Sequence, residues 1–184
     1  MTLVYLVQHG DKERLPGDPR LTATGRQQAE MTARWLCSAR LRALYSSPLR
    51  RARETAGVIA AATGVPVQLD ARLRERMNWN GGYSYEDFLA EWAHATRDRD
   101  FEPHGDESSR QAGHRLRAFL AALPARAAPV GVVTHGGITT DLLRNLLSDQ
   151  ALPAGLLEAG IPACAITTID DLKVVSIAAT GHLA

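Results

Sequence analysis

The sequence predicts an α/β protein: a three-layer α/β/α sandwich with a mostly parallel central sheet and a short cap insertion. Three observations carry this expectation. Short apolar, β-rich runs alternate with segments whose apolar residues recur at helical spacing, the pattern of a largely parallel sheet covered on both faces. Two of those runs end alike, Leu3–Val7 leading through Gln8 to His9-Gly10 and Val130–Thr134 leading to His135-Gly136. Residues 71–106 interrupt the alternation with a concentration of aromatic side chains. The 184 residues provide for one sizeable core and not comfortably two, so the expectation is a single domain over 1–184 with a cap insertion at about 71–106.

Each element has its own warrant. Leu3–Val7 is an apolar run without a breaker and reads as a buried strand; residues 11–20 form a polar loop. Thr22 or Thr24 caps the first helix, Gln27 completing a box for Thr24, and Ala29, Ala33, Leu36 and Cys37 share one face. Ala43–Ser46 is a short second strand. Pro48 suits the first turn of the next helix, which buries Ala52, Ala56, Ile59 and Ala60 and ends near Gly64. Val65–Leu69 contains Pro66 and belongs at an edge. In the cap, Ser84-x-x-Asp87 opens a short amphipathic helix carrying Phe88, Leu89 and Trp92, with Trp79, Tyr83, Tyr85 and Phe101 around it. Ser108-x-x-Gln111 starts a helix with the stripe Ala112, Leu116, Phe119, Leu120 and Leu123. After Val130–Thr134 a helix runs from about Ile138, carrying Leu142, Leu143, Leu146 and Leu147. Ala163–Asp170 and Lys173–Ala179 are two last strands joined at Asp170-Asp171.

Composition narrows the function. A net charge of +1 offers no field for nucleic acid or an anionic membrane. Cys37 and Cys164 lie far apart without a Cys-x-x-Cys pair and read as reduced, buried thiols. The first residues enter a strand without a basic region or cleavage site, and no apolar run is membrane-length, so a cytoplasmic location is expected.

The chemistry concentrates at the two His-Gly dipeptides. Strand ends of this kind place ligands in open α/β sheets, so two strands ending in histidine suggest two imidazoles facing one pocket. The surrounding motifs make the chain similar to the histidine phosphatase superfamily, in its phosphoglycerate-mutase-like branch. The family's Arg-His-Gly falls on Gln8-His9-Gly10, and its Leu-Thr-x-x-Gly on Leu21-Thr22-Ala23-Thr24-Gly25. Its arginine-bearing helix motif resembles Ser47-Pro48-Leu49-Arg50-Arg51-Ala52-Arg53-Glu54-Thr55-Ala56, which assigns the phosphate-binding arginine to Arg51 and not Arg50. Its acidic motif resembles Leu73-Arg74-Glu75 with Trp79-Asn80-Gly81, and its second histidine motif Val133-Thr134-His135-Gly136-Gly137.

The resemblance implies a cofactor-independent phosphomonoester hydrolase acting on a small phosphorylated metabolite. His9 would be the nucleophile, since a neutral imidazole near pH 7 attacks well and a phosphohistidine divides one hard displacement into two easier ones. Arg51, His135, Gln8 and the amides around Gly136 would hold the phosphoryl oxygens, and Glu75 would serve as acid and then base. Lys12, Arg14, Arg20 and Trp79 are the candidate substrate rim. Gln8 departs from the family's arginine, losing a charge and a bidentate fork. Two alternatives follow: a non-catalytic or repurposed anion-binding member, and a phosphohistidine-protein phosphatase. No metal is expected, because Arg51 beside a cation would be unfavourable; His94, His104, His114 and His182 are read as structural.

Overall fold

The computed structural model describes residues 2–104 and 106–184. Six strands form one sheet: β1 (Leu3–Gln8), β2 (Ala43–Ser46), β3 (Val67–Leu69), β4 (Val130–Thr134), β5 (Ile166–Asp170) and β6 (Lys173–Ala179). Their order is β3-β2-β4-β1-β5-β6. The β3-β2, β2-β4 and β4-β1 pairs are parallel, whereas β5 and β6 add antiparallel, giving a mostly parallel sheet.

Alternation along β1 distributes its side chains to two layers. Val4 and Leu6 join Val130 and Val132 against helices α4 (Ser109–Ala121) and α5 (Gly136–Leu146), through Leu116, Phe119, Ile138 and Leu142. Val7, Leu44 and Val133 point the other way, onto α1 (Ala23–Ser38) and α2 (Arg50–Thr63), where Ala33, Leu36, Ala52, Ala56 and Ile59 are buried. The register of β1 against β4 pairs Gln8 with Thr134. The residues that follow, His9 and His135, therefore leave the sheet side by side at its carboxyl edge.

The helix starts follow their caps. Thr22, not Thr24, caps α1, its side chain accepting from Gly25 N. Leu49 is the N-cap of α2, so Pro48 lies one residue outside the helix and not in its first turn; Gly64 closes the helix at φ 73°, a dihedral that favours glycine. Ser108 and Gln111 form a reciprocal capping box on α4. In the 71–106 stretch, Ser84 caps α3 (Tyr85–Arg97) by accepting from Asp87 N at 3.0 Å. Helix α6 (Leu156–Ala159) is a single turn before β5.

Two expectations are corrected here. The helix after His135 begins at Gly136, two residues earlier than its apolar pattern suggests. Cys164 is buried, but Cys37 is exposed: it follows the buried Leu36 in α1, and one residue turns about 100° around a helix axis. The described part of the chain has no helix long and apolar enough to cross a membrane.

Candidate active site

His9 leaves β1 with its ring almost fully buried, and two hydrogen bonds fix its tautomer. The Gly10 carbonyl can only accept, so the 2.8 Å contact from Nδ1 carries the ring proton there. Nε2 keeps its lone pair, which accepts from Arg51 Nε at 3.2 Å and faces the Gln8 amide nitrogen at 3.4 Å. Burial and then the Arg51 charge hold the His9 pKa down at about 3. The imidazole is neutral at pH 7.

Arg51 comes from the first turn of α2 and is itself buried. Besides the bond to His9, its Nη1 donates to Asn78 Oδ1 at 3.2 Å and lies 3.9 Å from Asp18. Burial lowers its pKa, with Glu75 and Asp18 opposing that shift. Asn78 in turn donates to the Gly17 carbonyl at 2.6 Å, tying the 11–20 loop to the guanidinium.

His135 caps the start of α5 and is fully buried, its Nε2 2.8 Å from Ser47 Oγ. Its ring meets that of His9 edge-on, with centroids 5.2 Å apart and planes at 64°. Burial, with Arg51 and His9 adding to it, lowers its pKa well below the ordinary histidine value, so it too is neutral. Among the described residues its Nδ1 has no hydrogen-bond partner, and neither does Oε1 of Gln8; both atoms are buried.

Glu75 is fastened to the head of α5. Its carboxylate accepts from Gly137 N at 3.0 Å and Ile138 N at 2.8 Å, and from Arg76 N at 2.9 Å. The helix terminus favours an anion there. Those amides were expected to serve a phosphate; the structure gives those of Gly137 and Ile138 to Glu75, while Gly136 also lines the cleft. Gly137 is required by what lies on it: a Cβ would stand 2.5 Å from the Trp92 ring and 2.6 Å from Glu75 Oε1.

Gln8, His9, Lys12, Arg14, Arg51, Glu75, Trp79 and Gly136 line one cleft of about 360 Å³. His135 lies behind that wall, reaching the site through His9 and Ser47. Arg20 does not line it: its Nε donates to Glu13 at 2.6 Å on the open surface. His182 is structural, 3.1 Å from both Thr32 Oγ1 and the Cys164 carbonyl.

Several residues at the cleft had no sequence signal. Asn78 is one. Asp141 and Thr96 are others, in a buried network behind Glu75: Arg76 pairs with Asp141 at 3.0 Å, donates to Thr96 Oγ1 at 2.7 Å and lies 4.2 Å over the Trp92 ring. Burial pushes the Asp141 carboxyl up to about 7, outweighing the pull of Arg76 and the bond from Ser109.

The sequence model for the histidine phosphatase superfamily (branch 1) matches residues 4–171. The chain belongs to that superfamily. Among its relatives, the probable phosphoglycerate mutase GpmB of Salmonella choleraesuis is 32% identical over 186 residues, covering 92% of this chain and 85% of that protein. The glucosyl-3-phosphoglycerate phosphatase of Mycobacterium tuberculosis is 32% identical over 166 residues, covering 78% and 74%. A structure of mycobacterial glucosyl-3-phosphoglycerate phosphatase with inorganic phosphate superposes with a TM-score of 0.77 at 26% identity, covering 99% of each chain. This histidine phosphatase fold is thus matched over nearly its whole length.

Proposed function

We propose that the protein hydrolyses phosphomonoesters of small organic alcohols through a phosphohistidine on His9. The observation that carries the proposal is the state of His9: neutral, its proton held by Gly10, its Nε2 lone pair beside the Arg51 guanidinium in an open cleft.

In the first step the Nε2 lone pair attacks phosphorus and the ester P–O bond breaks. Glu75, entering this step in its protonated form, gives its proton to the leaving oxygen, so an alcohol departs. In the second step Glu75 takes a proton from water, the hydroxide attacks the phosphohistidine, and the P–N bond breaks to release inorganic phosphate. Nε2 regains its lone pair. The transferring phosphoryl group carries charge on its equatorial oxygens, and fixed donors stabilise it. Arg51 supplies the charged donor, since its Nη2 has no acceptor among the described residues. The Gln8 amide and Gly136 N–H add neutral donors. His135, behind His9, backs the nucleophile's ring through their edge-on contact and is itself held by Ser47.

The names of the relatives, a glucosyl-3-phosphoglycerate phosphatase and a phosphoglycerate mutase, support the phosphoester class. Residues 71–106 act as a cap over the cleft, through Trp79, Tyr85, Phe88 and Trp92. The reaction asks for no cofactor, and the substrate is a small molecule, turned over in the cytoplasm.

One observation favours a second reading. Gln8 offers a neutral amide donor but no charge to a transferring phosphoryl group, which fits an anion-binding protein without turnover. Steady-state hydrolysis of p-nitrophenyl phosphate separates the two. The phosphatase reading expects turnover that falls at least a thousandfold in His9→Ala with the fold intact. Vanadate binding by the native protein without any turnover would assign it to the second class.

A further inference from the structure

Six large apolar side chains are exposed among the described residues, and three of them, Leu15, Tyr85 and Leu89, line this one cleft. They are 56%, 47% and 47% exposed, so their apolar surface faces solvent. Behind them runs an aromatic ladder. Trp79 and Tyr85 have ring centroids 5.0 Å apart, Tyr85 and Phe88 stack at 6.1 Å, and Phe88 and Trp92 follow at 6.0 Å. The ladder ends where Trp92 covers Gly137 and the Glu75 carboxylate. It therefore leads from the mouth of the cleft to the group that would protonate a leaving oxygen.

The cations near the cleft are arranged differently from those of a site for a second anion. Arg76 is engaged by Asp141, Thr96 and the Trp92 face. Arg144 is held by both oxygens of Asp149 and by the Thr96 carbonyl. Both guanidiniums are buried and their terminal nitrogens are held by protein acceptors, so a substrate carboxylate reaching those nitrogens would have to displace a protein partner. Lys12 and Arg14, on the loop at the rim, are the cleft's cations without an ion pair among the described residues.

We propose that the substrate's leaving group is hydrocarbon, an aryl or extended alkyl alcohol seated on Leu15, Tyr85, Phe88 and Leu89, and not a phosphorylated hydroxy acid. The inference rests on the phosphomonoesterase reading above and names the substrate class of that same site. Apolar groups of this kind bind by leaving water, and each buried methylene is worth about a fourfold change in affinity.

The test is the series of n-alkyl phosphates from methyl to hexyl, whose leaving alcohols differ little in acidity, with 3-phosphoglycerate and phosphoserine alongside. The expected result is a rise in kcat/KM of up to about fourfold per methylene, with hexyl phosphate cleaved better than either acid. In Tyr85→Ser/Leu89→Ser, two exposed positions whose replacement leaves the core intact, the slope should fall by half or more. A flat series, a slope unmoved in the variant, or a preference for either acid overturns the inference while leaving the phosphatase reading in place. The same esters titrated calorimetrically into His9→Ala read affinity without chemistry. A rise with chain length there, together with no turnover of any ester by the native protein, would support the apolar site and remove the phosphatase reading instead.

Discussion

Replacing His9 with asparagine should make stability less sensitive to acid, because the native imidazole refuses a proton that the unfolded chain accepts. Its pKa is about 3 in the folded protein, against the ordinary 6.5, and burial is the main cause. The sign follows from the depression. The folded state has its full His9 contribution above pH 6.5 and loses it as pH falls towards 3, since only the unfolded state takes up the proton in that window. One proton changes unfolding free energy by about 1.4 kcal/mol per pH unit. Going from pH 6.5 to 4.5 therefore removes about 2–3 kcal/mol through His9, a large share of a typical total of about 5–15 kcal/mol. His135 is also buried and neutral, so it adds a loss of the same sign. The assay is urea unfolding of the native protein and His9→Asn at both pH values, in buffer free of phosphate. The native protein should lose about 2–3 kcal/mol more than the variant over that interval. Equal losses would refute the reasoning, because His9 would then be protonated in the fold or accessible enough to titrate normally.

Three further outcomes are expected. Arg51→Lys keeps a charge but loses the planar fork and the bond to Nε2, so kcat/KM should fall about ten- to a hundredfold, the value of one charge-assisted bond of about 1.5–3 kcal/mol, while the circular dichroism spectrum stays unchanged. Gly137→Ala puts a methyl group into Trp92 and the Glu75 carboxylate; hydrolysis should drop by more than tenfold, and overpacking should cost about 1–3 kcal/mol in denaturant unfolding. Asp141 is raised to about 7, so the folded state holds a proton that the unfolded chain has lost, and the Asp141 contribution to stability falls as pH rises from about 4 to 7. Comparing native protein with Asp141→Asn from pH 5 to 7, the native advantage should shrink by about 1.4 kcal/mol per pH unit; a constant difference would mean that Arg76 keeps the carboxylate ionised throughout.

The alternation of strands and helices, the mostly parallel sheet covered on both faces and the nearness of His9 to His135 were legible because they rest on periodicity and on a repeated dipeptide. Parallel β1 and β4 share a register, so two runs ending in His-Gly deliver both rings to one edge. Arg51 was distinguished from Arg50 only by family resemblance, since both sit in the first turn of α2; Arg50 instead pairs with Glu54 at 2.8 Å. Other parts depended on contacts that no local pattern encodes. Arg20 is drawn off by Glu13, seven residues away, and Asn78 reaches both Arg51 and Gly17 across loops. The pairing of Arg76 with Asp141 joins positions 65 residues apart, and neither residue type announces burial. The seat of Glu75 on the head of α5 was also hidden, because the glycines that permit it read equally well as a phosphate cradle.

The central claim is that His9 carries the phosphoryl group. Rapid quenching of the protein during turnover of a phosphorus-32-labelled alkyl phosphate, followed by peptide mapping, measures this directly. The account predicts an acid-labile, base-stable label on the peptide containing His9, absent in His9→Ala. Turnover by the native protein with no labelled peptide, or with the label on any other residue, would contradict it.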